Sequence, residues 1–134
     1  MQLLILGCNP LVHNLVPSLI QKDWKLTILT SSLNCYNEVY PNDNPKIVEP
    51  NGILIDGMTS AGIGVADAFW ALSEDDNKNT MSAQIAKHIF NVPNVLCLVN
   101  HYEKLEVFRK LNLELISSTN IIAENILSTV ESPS

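Results

Sequence analysis

Short runs of apolar residues recur along the chain without alternating with polar residues. This pattern is typical of strands in a parallel sheet, because helices cover both faces of such a sheet and bury every side chain. Segments rich in Gly, Pro, Asn and Asp separate several of the runs and favour turns. The pattern predicts six strands, at Leu3–Gly7, Leu26–Leu29, Lys46–Glu49, Ala68–Leu72, Asn94–Val99 and Leu113–Ile116.

The segments between these runs carry apolar residues at helical spacing, which predicts amphipathic helices. Pro17 lies inside the first helix and either kinks it or marks its true start. Ser31–Tyr40 is expected to form a short helix or turn, and residues 41–45 a loop. The predicted helices are Pro10–Gln21, an irregular Ile53–Ser60, Asn77–Phe90, His101–Leu111 and Asn120–Val130, the last with an N-cap in Ser117–Thr119.

Strand and helix alternate throughout the chain. This order predicts an α/β fold class, a Rossmann-like doubly wound, mostly parallel six-stranded sheet with helices on both faces. A chain of 134 residues fits one domain, which we assign to residues 1–130, with 131–134 as a frayed tail. The apolar runs are too short to span a bilayer and no signal peptide precedes the first strand, so we expect no direct membrane insertion.

Charge and cysteine content narrow the function classes. The formal net charge of −6 argues against a nucleic-acid or anionic-lipid surface, since both need clustered Lys and Arg. Cys8, Cys35 and Cys97 lie far apart in the sequence, without a CxxC or a Cys/His cluster. We therefore expect reduced thiols in a cytosolic protein and no structural zinc site.

The loop after the first strand has the position of a dinucleotide-binding turn, which follows the pattern G-x-G-x-x-G. Gly7 supplies the first glycine, but Asn9 and Val12 stand at the second and third positions. Asn can adopt left-handed backbone angles, so we expect the turn to survive. A side chain at position 9 should nevertheless crowd the phosphate, and Pro10 removes one N–H donor from the helix N-terminus.

The end of the second strand lacks the acid that would accept hydrogen bonds from an adenosine ribose. Thr30 stands at this position and Ser31 follows it. One interpretation is a site for a phosphorylated ribose, although no Arg follows to pair with the phosphate. The other interpretation is a nucleotide site that has been lost.

Three segments carry a resemblance to a known family. Ala61–Phe69 matches A-G-I-x-x-A-D-A, Ser73–Asn79 resembles T-x-D-D-x-x-N, and Asn91–Asn100 contains elements of G-V-P-x-V and V-N. From Met1 to about Ile126 the chain resembles the TrkA N-terminal domain, also called the RCK domain (regulator of potassium conductance). In that family, paired domains respond to NAD(H) or adenine nucleotides and transmit a change of shape to a membrane pore.

The resemblance implies a nucleotide site whose motifs are altered. Besides the changes at Asn9 and Thr30, Pro50–Ile53 aligns with the family's G-D-A-T turn and Leu98 with its common Arg. NAD(H) or an adenine nucleotide is therefore expected to bind weakly or not at all. The residues implied for this site are Gly7, Cys8, Asn9, Leu11, Val12, Thr30, Ser31, Asn51, Gly52, Ser73 and Asn79.

The resemblance also implies a cytoplasmic regulator that is peripheral to the membrane and bound to a potassium channel or transporter subunit. A homodimer or higher oligomer is expected, and the last helix is a candidate interface because its apolar face is wide. A pure dimerisation module is one alternative. The apolar residues of that helix are Ile121, Ile122, Ile126, Leu127 and Val130.

A small NAD(P)-binding oxidoreductase is the other alternative, but we expect no enzyme activity. Of the three histidines, His101 is the most site-like because it follows a strand end, whereas His13 and His88 lie within predicted helices. Asp75 and Asp76 could form a carboxylate pair for chemistry or for a metal. Helix capping beside Asn79 is the simpler interpretation of both acids.

Overall fold

The computed structural model describes residues 1–31, 35, 44–50 and 52–131. Within them, six strands form one sheet in the order β3-β2-β1-β4-β5-β6. Every neighbouring pair is parallel, so the predicted doubly wound sheet is confirmed and its strands all run in one direction. The strands are β1 Gln2–Leu6, β2 Lys25–Leu29, β3 Lys46–Val48, β4 Ala68–Ala71, β5 Asn94–Val99 and β6 Glu114–Ser117.

Side chains of β1 alternate between two buried layers, which places packed elements on both faces of the sheet. Leu4 and Leu6 belong to one cluster, together with Met58 and Ala83. Leu3 and Ile5 belong to the other, against Val16 and its neighbours in the first helix. The helices are α1 Pro10–Gln21, α2 Leu54–Ser60, α3 Asp76–Gln84, α4 Leu105–Arg109 and α5 Ser118–Glu131.

The first helix has the predicted bounds, and Asn9 is its N-cap. Because α1 begins at Pro10 and continues past Pro17, that proline does not mark the start of the helix. The last helix begins at Ser118, and its N-cap prediction is confirmed because the Asn120 N–H donates to Ser117 Oγ at 3.2 Å.

Two predicted helices are subdivided in the structure. The helix expected at Asn77–Phe90 begins at Asp76 and passes into a π-helical turn at Ile85–Ile89. The apolar residues of this segment do not all lie on one buried face, since Met81 and Ile89 are each 57% exposed whereas Ala86 is buried. The helix expected at His101–Leu111 is a 3-10 turn, Tyr102–Lys104, followed by α4.

Some predictions lie outside the described residues. They include most of the expected helix or turn at Ser31–Tyr40, where only Ser31 and Cys35 are described, and the tail 132–134. In the described ranges, no helix is both long and apolar enough to cross a membrane.

Candidate functional site

The carboxyl ends of β1 and β4 form the switch point of the sheet. The chain adds β2 and β3 on one side of β1 and then continues with β4 on its other side. The loops after β1 and β4 consequently diverge from neighbouring strand ends, and open α/β sheets bind ligands in the crevice between such loops.

Gly7 lies where these two loops touch. Its φ of +110° is in a region that L side chains rarely adopt, and a Cβ atom there would lie 2.8 Å from Ser73 Cα. Its N–H donates to Leu29 O at 3.0 Å, which ties the loop to the end of β2. A glycine is therefore required here both for the turn and for the close approach of two backbones.

Asn9 does not have the left-handed conformation expected from the sequence. Its φ of −158° and ψ of 178° are extended, as is usual for an N-cap residue. Its Oδ1 accepts from the Val12 N–H at 3.1 Å, and its Nδ2 donates to Leu72 O at 2.8 Å. The side chain thus bridges the start of α1 and the end of β4.

This bridge changes what the helix N-terminus offers to an anion. A phosphate at such a position is usually held by free N–H groups of the first turn. Pro10 has no N–H, the Val12 N–H is bonded to Asn9 Oδ1, and the His13 N–H donates to Asn9 O at 3.0 Å. Asn9 and Pro10 together leave Leu11 as the first-turn residue whose N–H has no acceptor among the described residues.

The other residues that were predicted for the nucleotide site near the ends of β1, β2 and β3 have different surroundings. Cys8 is half-buried, whereas the Leu11 side chain lines an apolar groove between α1 and α5. Thr30 is buried at the end of β2, where its N–H donates to Val48 O at 3.0 Å. Ser31 and Gly52 are exposed, and Asn51 lies outside the described residues.

Ser73 and Asn79 form a polar cluster at the end of β4. The Asn79 side chain is buried, and its Oδ1 accepts from the Ser73 N–H at 3.0 Å and from Ser73 Oγ at 2.6 Å. Its Nδ2 donates to Ser73 O at 2.9 Å and to Leu98 O at 3.0 Å. Asn79 therefore joins the end of β4 to β5, and a role for both residues beside a nucleotide stays a prediction.

Asp76 lies next to this cluster, and its side chain has 0% exposure. Its Oδ1 accepts from Asn100 N and Nδ2 at 2.7 and 2.9 Å. Its Oδ2 lies 2.9 Å from the His101 N–H donor and 3.0 Å from His101 Nδ1. Burial acts to raise the pKa of this carboxyl, but the hydrogen bonds from Asn100 and His101 together hold the pKa below its ordinary value of 3.8.

The two adjacent acids therefore have different roles. The capping prediction is confirmed for Asp75, whose side chain accepts from the Lys78 N–H at 3.1 Å. Asp76 instead anchors the loop after β5, a role that the sequence pattern does not reveal because its partners follow 24 and 25 residues later. The site-like position of His101 reflects its contact with this buried carboxylate.

A Cys/His cluster lies at the other end of the crevice. Cys8 and Cys35 form a disulfide in the structure, with Cα atoms 6.0 Å apart, so the expectation of reduced thiols is wrong for this pair. His13 Nε2 lies 3.5 Å from Cys8 Sγ, so the expectation of no Cys/His cluster is also wrong. Cys97 is a free, buried thiol, and burial, with a smaller effect of the Asp76 carboxylate, raises its pKa to about 12.

The last helix contributes little to the core. Every residue of α5 from Thr119 to Val130 is exposed, including Ile126 at 60% and Leu127 at 57%. An open groove of about 610 Å³ lies beside its first turns. The apolar side chains lining this groove include Leu11, Leu15, Trp70, Leu98, Ile116 and Ile122.

Comparison with known proteins finds relatives that are described as potassium uptake proteins. A relative from Streptomyces coelicolor, described as the Trk system potassium uptake protein TrkA, is 25% identical over 127 residues. The match covers 95% of this chain and 57% of the relative. A TrkA from Haemophilus influenzae is 21% identical, and the match covers 99% of this chain and 31% of that protein.

Solved structures share the fold at lower sequence identity. The TrkA-N domain of the inner membrane protein ybaL from Escherichia coli has a TM-score of 0.81 at 13% identity, with 95% of this chain and 94% of that chain covered. The Kef C-terminal domain of Shewanella denitrificans in its AMP-bound form has a TM-score of 0.79 at 16% identity, with 100% and 84% covered. The GsuK channel bound to NAD has a TM-score of 0.73 at 17% identity, with 98% and 24% covered.

The family itself is identified by its sequence profile. The TrkA-N domain profile matches residues 3–119, which include the whole crevice, the polar cluster around Asp76 and the sheet up to β6. The chain therefore belongs to the TrkA-N domain family.

Proposed function

We propose that this domain is a cytoplasmic regulator of a potassium uptake or channel system, with a nucleotide site that has been weakened or lost. The link to potassium transport comes from the family and from the TrkA relatives. The proposal of a weakened nucleotide site rests on the Asn9 side chain. It hydrogen-bonds the Val12 N–H and Leu72 O in the loop where a phosphate would bind.

Two physical effects support weak nucleotide binding. The N–H donors of the first turn of α1 are largely used or absent, so a phosphate there would have to displace Asn9 Oδ1. Thr30 replaces the acid that would bind a ribose, which costs on the order of 1.5–3 kcal/mol, or roughly tenfold to a hundredfold in affinity. A nucleotide that binds nevertheless should lie over Gly7–Val12 with its ribose near Thr30.

Isothermal titration with NAD, NADH, ATP and ADP tests this proposal. We expect weak or undetectable heats for all of them, and submicromolar binding of NADH would contradict the proposal. The double variant Asn9→Gly/Thr30→Asp should gain measurable binding if these two positions are what weakens the site. Asn91→Gly, remote from the crevice, is the matched control and should gain none.

The membrane partner can be tested independently of the nucleotide. We infer a potassium channel or transporter subunit as the partner, in line with the TrkA relative and the GsuK channel that share this fold. Deletion of the gene should change potassium uptake or its regulation in the host cell. Unchanged uptake under potassium limitation would count against this partner.

A homodimer is the proposed assembly, with α5 as part of the interface. The helix exposes Ile126 and Leu127, and an apolar groove beside Ile122 remains open to a second copy. Light scattering at micromolar concentration should give twice the 14.8 kDa mass of the chain. Ile126→Asp should yield monomers, whereas Ser128→Asp on the same helix should not, and a monomeric parent protein would contradict the assembly.

The proposed role involves no catalysis. His101, the most site-like histidine, has its Nδ1 3.0 Å from the buried Asp76 carboxylate, which fits a role in holding the loop after β5. An NAD(P)-dependent turnover of a small alcohol or acid would instead support the oxidoreductase alternative.

A further inference from the structure

The contact between His13 and both sulfur atoms of the Cys8–Cys35 pair has no role in the proposed nucleotide site. His13 Nε2 lies 3.5 Å from Cys8 Sγ and 3.9 Å from Cys35 Sγ. All three ligand atoms are within 4.8 Å of one another. The two cysteines are half-buried and His13 is exposed, so solutes can reach the cluster.

The fold brings the three residues together from separate segments. Cys8 follows β1, His13 is in the first turns of α1, and Cys35 follows β2. Since β1 and β2 are paired neighbours, their carboxyl ends lie side by side, and α1 starts from the same edge. Two cysteines and a histidine on three adjoining segments can converge on one point without a local sequence motif.

In a tetrahedral zinc site, Zn–S distances of about 2.3 Å and Zn–N distances of about 2.0–2.1 Å put each sulfur about 3.6 Å from the nitrogen. In the disulfide-bonded structure the corresponding separations are 3.5 and 3.9 Å, so the imidazole already lies at this distance from each sulfur. The two sulfur atoms must move apart after reduction, because thiolates on one tetrahedral ion are about 3.8 Å from each other. The Cα separation of 6.0 Å is also short enough for both side chains to reach one ion.

We propose that Cys8, His13 and Cys35 in their dithiol form bind a divalent cation of the zinc type through Sγ, Nε2 and Sγ. Both thiols release their protons on binding, and the neutral imidazole donates a lone pair. Three protein ligands leave one coordination position for water or another small ligand. The pair is a disulfide in the structure, so the metal-binding form is the one that arises when a reductant opens this bond.

Cobalt(II) is the probe for this site, because thiolate ligands and tetrahedral geometry give it characteristic absorption bands. The full chain is first reduced with a phosphine and water, which converts the disulfide to two thiols and the phosphine to its oxide. The reductant is removed without oxygen, and Co²⁺ is titrated in. We expect binding of one ion per chain, a thiolate-to-cobalt charge-transfer band, and loss of the band when Zn²⁺ is added.

Variants identify the ligands. Cys8→Ser and Cys35→Ser should each lose most of the charge-transfer intensity. His13→Gln should weaken binding by more than the roughly tenfold to hundredfold that is typical when an outer-shell partner of a metal ligand is removed. The matched controls are Cys97→Ala, at the buried free thiol, and His88→Gln, at an exposed histidine, and both should bind like the parent protein.

A second readout covers variants that fold poorly. In the folded parent protein, Zn²⁺ should protect Cys8 and Cys35 from alkylation, as measured by mass spectrometry of peptides. Reduced, folded protein that shows neither a cobalt–thiolate band nor zinc protection would overturn the proposal. If the protein that shows neither signal re-forms the disulfide on addition of oxidised glutathione, the cluster is a disulfide pair only.

Discussion

At the carboxyl ends of β4 and β5, the polar groups of Ser73, Asp76 and Asn79 have their partners inside the protein. At the ends of β1 and β2, Asn9 and Thr30 stand where the family pattern has glycine and an acid, and a Cys/His cluster lies beside them. The first region carries segments that resemble the family, apart from Leu98 in β5, and the second carries the changes at Asn9 and Thr30. The polar side chains at the ends of β4 and β5 therefore hold the loops of the domain, and the ends of β1 and β2 are where we propose that nucleotide binding is weakened or lost.

Removing the carboxylate of the β4–β5 region should produce the largest loss of stability. Asp76→Ala leaves the backbone N–H groups of Asn100 and His101 without their acceptor, and a buried unpaired donor costs about 1–3 kcal/mol. We expect the free energy of unfolding in urea to fall by about 3 kcal/mol.

The neighbouring acid is the control for this prediction. Asp75→Ala removes only an exposed N-cap, which costs about 1 kcal/mol. Equal losses for the two variants would mean that Asp76 does not anchor the loop after β5, and the contrast between the two halves would disappear.

Disturbing the contact between the β1 and β4 loops should give the next largest loss in the free energy of unfolding. Gly7→Ala combines a φ of +110° with a Cβ 2.8 Å from Ser73 Cα, and we expect a loss of about 2 kcal/mol. Gly62 has a φ of +90°, but no atom lies near the position of an added Cβ, so Gly62→Ala should cost about 1 kcal/mol. Gly64→Ala has neither constraint and should stay within about 0.5 kcal/mol of the parent protein.

This glycine series separates backbone strain from crowding. If Gly7→Ala were no worse than Gly62→Ala in thermal or urea unfolding, the close approach of the β1 and β4 loops would contribute nothing. The order Gly7, Gly62, Gly64 is thus the expected result.

Most of the sheet could be predicted from the sequence because burial on both faces leaves a simple pattern. The residues of β1 and β5 are nearly all apolar, and both strands are found within one residue of the predicted bounds. Apolar spacing does not distinguish an α-helix from a π-helical turn, so the change at Ile85 was not predictable. The inner face of α3 also carries small and polar residues such as Ser82 and Ala83, which hydrophobic periodicity does not detect.

The candidate site was predictable only where one residue has a local constraint. Gly7 could be identified because the turn after β1 requires a glycine. The partners of Asp76 lie 24 and 25 residues away, and Cys35 lies 27 residues from Cys8. Contacts at such separations depend on which strand ends meet, so the sequence pattern indicated neither the buried carboxylate nor the Cys/His cluster.

Acid should weaken the β4–β5 region selectively. The pKa of Asp76 is held below its ordinary value of 3.8, so its ionised form stabilises the fold above that pH, and this stability is lost as the pH falls through the lower, folded-state pKa. Asp76→Asn removes the titration while keeping one acceptor oxygen. Its free energy of unfolding should be lower near neutral pH and should depend less on pH below about 5 than that of the parent protein.

Asp75→Asn is the matched control for the acid experiment, since Asn is as good an N-cap as Asp. Urea unfolding at a series of pH values should give this variant the same acid dependence as the parent protein. If Asp76→Asn also kept the parent's full acid dependence, the hydrogen bonds from Asn100 and His101 would not be lowering the pKa of Asp76.

The smallest effect should come from the bridge in the β1–β2 region. Asn9→Ala removes both the cap on the Val12 N–H and the bond to Leu72 O, and we expect a loss of about 1 kcal/mol in urea unfolding. Asn9→Gly should cost only a few tenths of a kcal/mol, because glycine is tolerated at an N-cap. Unchanged stability of Asn9→Ala would mean that the bridge does not form in solution, and the phosphate loop would then be open to a ligand.

A small loss of stability for Asn9→Gly together with a clear loss for Asn9→Ala would instead show that the loop can be reopened without unfolding the domain. A failure of Asn9→Gly/Thr30→Asp to bind nucleotide would then point to Pro50 and Leu98.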